Sequence, residues 1–146
     1  MVKAKKVLLG SVGSDVHSVA NRLIDKHLSD TNFQVCNLGV SVPINEWLEK
    51  YADFLPDLVL IGTMNGDLEP VIELVRNLRE ISSDAVSILI GGNPKLGSTG
   101  ISLAPIMRSK NVWVLEAPNP SFLEIQSLCE SIISSNTSGI LNSRIG

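Results

Sequence analysis

The stretch Val7-Leu8-Leu9-Gly10-Ser11-Val12-Gly13-Ser14-Asp15-Val16-His17 runs from an apolar segment through a Ser/Gly loop into a helical repeat. Val7 to Gly10 reads as a strand buried on both faces, because no polar residue alternates with the apolar ones. From Asp15 to Leu28 the apolar residues are Val16, Val19, Ala20, Leu23, Ile24 and Leu28, the spacing of one helix face with charges between. The Ser/Gly loop gives this helix little to hold its start.

The same alternation continues outward. Phe33 to Leu38, Leu58 to Ile61, Val86 to Ile90 and Asn111 to Leu115 read as further strands. Helices are expected from Pro43-Ile44-Asn45-Glu46 onward with Trp47, Leu48 and Tyr51 inward, over Glu69 to Arg79, near Ile101–Arg108, and over Ser121–Ser134. Strictly alternating β and α with nearly all-apolar strands predicts an α/β fold whose parallel sheet is covered on both faces. Right-handed crossovers leave few arrangements, and the expected one is a single flavodoxin-like (Rossmann-like), doubly wound, five-stranded parallel sheet of order 2-1-3-4-5. The domain is expected over residues 1–134, with a Ser/Asn/Gly-rich, flexible tail over 135–146.

Composition narrows the classes. The 146 residues match one domain, by the rule of roughly 100–200 residues per domain. A net charge of −3 from 12 basic and 15 acidic side chains draws no nucleic acid. No apolar run approaches the ~20 residues that span a bilayer, so no membrane partner is expected. Cys36 and Cys129 form neither a disulfide framework nor a C-x-x-C site, which suits a reducing cytoplasm. Both read as buried apolar residues. Trp47 and Trp113 read as core, and His27 as a residue facing its helix C-terminus and solvent.

In an open α/β sheet, ligands bind beyond the carboxyl ends of the strands, where strand order switches. Three loops meet at that rim: Ser11 to His17, Gly62-Thr63-Met64-Asn65-Gly66-Asp67, and Gly91-Gly92-Asn93-Pro94-Lys95-Leu96-Gly97. Asp15 and His17 stand out. Asp15 is a helix N-cap and His17 a solvated first-turn residue on one reading. On the other, a neutral imidazole ligates a transition metal while the carboxylate takes its second ring N–H and fixes the tautomer. One histidine makes no conventional metal site, so such a metal would arrive already held, as in a macrocycle. Gly91 and Gly92 either end a strand or let a flat ligand lie against the backbone. Asn65-Gly66 reads as a turn.

Together these loops resemble the D-x-H-x-x-G … S-x-L … G-G signature of cobalamin-binding domains that bind base-off and His-on. Asp15-Val16-His17-Ser18-Val19-Ala20, Gly62-Thr63-Met64 and Gly91-Gly92 occupy its three parts at the expected spacings. Asn37-Leu38-Gly39-Val40-Ser41-Val42-Pro43 and Gly91 to Gly97 are most similar to the small cobalamin-binding subunit of glutamate mutase (methylaspartate mutase). The signature's glycine is here Ala20 and its serine Gly62. The resemblance implies that His17 is the lower cobalt ligand and Asp15 its hydrogen-bond partner, with Ser14, Val16 and Ser18 around them. It implies that Gly62, Thr63 and Met64 line the slot for the nucleotide tail, with Gly91, Gly92, Asn93, Pro94, Lys95, Leu96 and Gly97 across from them.

The implied activity is that of an isomerase subunit, inactive alone. It would hold adenosylcobalamin and present it to a larger TIM-barrel catalytic subunit that binds an amino-acid substrate, L-glutamate, and yields 3-methylaspartate. A barrel needs about 250 residues, more than this chain has. Two other readings compete. One is a corrinoid carrier or sensor of another system, which ordinarily has an extra helical domain in front. The other is a degenerate flavodoxin-like domain that no longer binds cobalamin. The rim loops contain no aromatic residue, which speaks against a flavin. Gly62 stands where a phosphorylated receiver domain wants an aspartate.

Overall fold

Apolar strands joined by amphipathic helices can cover both sheet faces only by pairing in parallel with crossovers on each side. A computed structural model of the chain shows this arrangement and describes residues 4–13, 18–63, 68–82, 86–92, 111–115, 121–134 and 139–141. The strands are β1 (Lys5–Ser11), β2 (Phe33–Asn37), β3 (Leu58–Thr63), β4 (Ser87–Gly92), β5 (Val112–Leu115) and β6 (Gly139–Leu141). Their order is β2-β1-β3-β4-β5-β6, with every neighbouring pair parallel. The expected order holds for the first five. The sixth strand is a correction: Gly139–Leu141, expected in a loose tail, pairs with Trp113, Val114 and Leu115 and extends the sheet. Unpaired backbone on β5 offers that ladder, and three residues suffice to take it.

The helices are α1 (Ser18–Ser29), α2 (Ile44–Phe54), α3 (Glu69–Ser82) and α4 (Phe122–Ile133). The helix expected near Ile101–Arg108 lies outside the described residues. Local chemistry sets the ends. Leu55, left-handed at φ 49°, returns its N–H to Tyr51 O at 2.9 Å and closes α2 before Pro56. Ser121 accepts from the Glu124 N–H at 3.1 Å and donates its hydroxyl to the Glu124 carboxylate at 3.3 Å, capping the start of α4. None of the described helices is long and apolar enough to cross a membrane.

Two cores sandwich the sheet. Leu8, Val59, Ile61, Ile88 and Ile90 pack with Trp47 and Tyr51 of α2 and Val71, Leu74, Val75 and Leu78 of α3. The alternate residues Val7, Leu9, Leu58, Leu60 and Leu89 pack with Leu28 of α1 and Ile125, Leu128, Cys129 and Ile132 of α4. Burial pushes the Cys129 thiol up to about 12, helped by the neighbouring Glu130 charge. Trp47 is fully buried as expected, whereas Trp113 is half-buried. His27 departs from expectation: its Nε2 lies 2.9 Å from Gln126 Oε1, and its ring stacks on Phe122 at 5.9 Å, tying α1 to α4.

Candidate cofactor site

Gly62 and Thr63 continue β3, and Gly91 and Gly92 continue β4, so these residues are the strands' carboxyl ends rather than loops. Glycines carry no side-chain pattern that would have extended the strands in a sequence reading. In register, Ser11 lies opposite Gly62, and Gly62 opposite Gly91. Strand side chains alternate between faces, so this row follows Leu9, Leu60 and Leu89 on the α1/α4 side. Across three adjacent strands its largest side chain is a serine hydroxymethyl. A Cβ built on Gly91 would meet nothing within 4 Å, so the floor of the row has room above it.

The α1 helix borders this row. Its inner line runs from fully buried Leu28 through half-buried Ile24 to exposed Ala20. Val19 is 71% exposed and Leu23 44%, although the repeat assigned both to the helix's inward face. Periodicity says which residues share a face; it does not say that anything covers it. The apolar contact between α1 and the sheet therefore fades towards the carboxyl edge, where the row of small residues begins.

What fastens α1 there is polar. Asn37, the last residue of β2, donates from Nδ2 to Asn21 Oδ1 at 2.6 Å and to Asp25 Oδ2 at 3.1 Å. Its Oδ1 accepts from the Gly39 N–H at 2.9 Å. Gly39 sits at φ +99°, a conformation that side chains rarely adopt, and its carbonyl accepts from Ser11 N at 3.0 Å and Asn21 Nδ2 at 3.4 Å. Sequence alone singles out neither Asn21 nor Asp25, and gives Asn37 only as the start of the stretch that joins β2 to α2. The signal was there: two polar residues one helical turn apart beside an apolar stripe, and an asparagine ending a half-buried edge strand.

Of the site residues expected from sequence, the structure brings Gly62 and Gly91 together, and Gly92 follows in β4. Ser18 is the first residue of α1. Thr63 is fully buried, and the alternation of β3 turns it to the opposite, α2/α3 face, away from Gly62. Ser14, Asp15, Val16, His17, Met64, Asn93, Pro94, Lys95, Leu96 and Gly97 lie outside the described residues.

A row of small residues at the carboxyl edge beside the switch between β1 and β3 is where doubly wound sheets take ligands, but many families share that arrangement. The family model described as "B12 binding domain" matches residues 5–97, from the first residue of β1 to beyond β4. This chain belongs to the B12-binding domain family. A curated relative from Treponema denticola, named glutamate mutase sigma subunit, is 30% identical over 101 residues, covering 66% of this chain and 70% of that protein. Among solved structures, a cobalamin-binding protein from Desulfitobacterium hafniense superposes with a TM-score of 0.70 at 19% identity. That match covers 89% of this chain and 60% of the other. A LuxR-family response regulator from Aurantimonas gives 0.63 at 18% identity, over 93% of this chain and 89% of the other. The fold by itself is thus common to cobalamin binders and signalling domains, and membership of the B12-binding family rests on sequence.

Proposed function

We propose that this chain is the cobalamin-carrying small subunit of an adenosylcobalamin-dependent carbon-skeleton mutase that converts L-glutamate to 3-methylaspartate. The observation that carries the reading is the Ser11–Gly62–Gly91 row with open space above Gly91, in a chain of the B12-binding family. A flat heteroaromatic group needs a floor without bulky side chains, and this row supplies one. The relative named glutamate mutase sigma subunit supports the choice of reaction.

In this reading His17 gives an imidazole nitrogen to the cobalt, and Asp15 accepts the other ring N–H, fixing the tautomer and raising the basicity of the ligand. Ser14, Val16 and Ser18 surround that pair. Gly62 and Met64 flank the tail slot, with Gly91 and the segment Asn93 to Gly97 across from them, while Thr63 and Gly92, its partner in register, belong to the other face. When bound, the cofactor supplies homolytic cobalt–carbon chemistry, and the chain supplies ligation, orientation and exclusion of water. A separate TIM-barrel subunit binds the amino acid.

The test uses the purified chain mixed with adenosylcobalamin in the dark and passed through a desalting column. Wild type is expected to keep corrinoid with a base-off, histidine-ligated visible spectrum, and His17→Ala to lose that spectrum. An identical spectrum in both proteins would remove His17 as the ligand.

A further inference from the structure

The end of α1 next to the row of small residues is the least covered part of the helix, with Val19 and Leu23 facing outward. Apolar packing therefore fixes its lower half, at Ile24 and Leu28, and leaves its upper half to another device. That device converges on one side chain. The Asn37 carboxamide uses both donors on α1, to Asn21 Oδ1 and Asp25 Oδ2, and its oxygen on the Gly39 N–H. Asp25 is held in turn, its Oδ1 accepting from Ser29 Oγ at 2.9 Å. Asn21 is buried, and its own Nδ2 reaches Gly39 O, the carbonyl that also accepts from Ser11 N. One asparagine thus joins successive turns of α1, the end of β2 and the backbone beside the Ser11–Gly62–Gly91 row.

We propose that Asn37 is a positioning residue: it sets the placement of α1 over the sheet edge, and through it the pose of the Asp15–His17 segment that precedes the helix. This rests on the reading of His17 as a cobalt ligand. It assigns Asn37 no contact with the cofactor. A helix with two exposed apolar residues in its first half can turn or lift at small cost in burial. A donor pair aimed at residues one turn apart resists both movements, because each would strand a buried polar atom.

Asn37→Asp tests the proposal, since it keeps the shape and the acceptor for Gly39 but sets a second carboxylate against that of Asp25. Among the described residues no Lys, Arg or His side chain is hydrogen-bonded to Asn21, Asp25 or Asn37, so the described contacts place no cation between the two carboxylates. The cofactor-free protein is expected to exchange the amide hydrogens of residues 19–29 about tenfold faster or more, a loss on the scale of one hydrogen bond to a charged group. Protection in β3 and β4 stays as in wild type. Corrinoid affinity falls by about tenfold or more on the same scale, and a smaller share of the bound cobalamin shows histidine ligation. Adding Asp25→Asn reverses the donor and acceptor of that pair and removes the repulsion, so exchange, affinity and spectrum move part of the way back towards wild type, the bond to Asn21 Oδ1 staying lost.

Unchanged exchange over 19–29 in Asn37→Asp overturns the proposal, as does a double variant no better than the single one. If Asn37→Asp does not fold, Asn37→Ser removes both donors without adding charge, and unchanged exchange in α1 there overturns it equally. Uptake of no corrinoid by wild type, with the exchange pattern as expected, would instead overturn the ligand reading and leave the fastening of α1 intact.

Discussion

The two faces of the sheet differ most at their carboxyl edge. On the α2/α3 side the apolar columns run one row further: Ile61 and Ile90 are buried beside Gly10, whose missing side chain is replaced by the Trp47 ring, and buried Val12 and Thr63 follow, with Gly92 in register with Thr63. A Cβ at Gly10 would lie 2.8 Å from Trp47 Cζ2. On the α1/α4 side the columns stop at Leu9, Leu60 and Leu89, and the next row is Ser11, Gly62 and Gly91. Both faces use glycine, for opposite purposes. At Gly10 the space is already filled by the protein; at Gly91 it is open. One face secures the fold, which frees the other to end in a gap.

Breaking the closed face has the largest expected effect. Trp47→Ala should lower unfolding stability by about 3–5 kcal/mol in urea titrations, the scale for emptying a large buried aromatic site. The open side contributes its own sensitivity to pH through Cys129, at its lower, packed end. The fold holds this thiol protonated up to about 12, whereas the unfolded chain releases the proton near 9.0. The contribution is therefore complete below pH 9.0 and is lost as pH rises towards about 12. Urea midpoints measured across that window should fall less steeply in Cys129→Ala than in wild type.

A smaller effect separates the two glycine uses. Gly10→Ala should cost about 1–3 kcal/mol by overpacking against Trp47, again read from urea midpoints. At the bottom of the scale, Leu23→Ala on the uncovered part of α1 should change stability by no more than about 0.5 kcal/mol, as expected for a surface residue. An effect there as large as that at Trp47 would mean that α1 is packed as α2 is.

The fold was readable wherever side chains carry a period. Leu58 to Ile61 and Ile88 to Ile90 are buried apolar runs, and helices with Trp47 or Leu74 inward alternate with them, which limits the sheet to few orders. The reading stopped where that signal stops. Gly62 and Gly91 have no side chain to alternate, so the strands seemed to end a residue or two early. Gly139-Ile140-Leu141 is too short to show a period inside a Ser/Asn-rich stretch, so β6 was missed. At the site, the loops and glycines were visible as a pattern. Asn37 was not, because a hydrogen-bond hub is defined by which residues meet across elements, and spacing along the chain is silent on that.

If the gap over Gly91 takes the tail of the cofactor, filling it should block uptake of the corrinoid. The most direct test is a titration of wild type and Gly91→Leu with hydroxocobalamin, followed by visible spectroscopy, with the urea midpoint of each protein measured alongside. Gly91 has no positive φ and a Cβ there meets nothing within 4 Å, so the backbone accepts a side chain, and equal urea midpoints would show that the leucine is accommodated. With an unchanged urea midpoint, this variant is expected to take up no corrinoid while wild type does. Equal binding by the two proteins would contradict it and move the cofactor away from this face of the sheet.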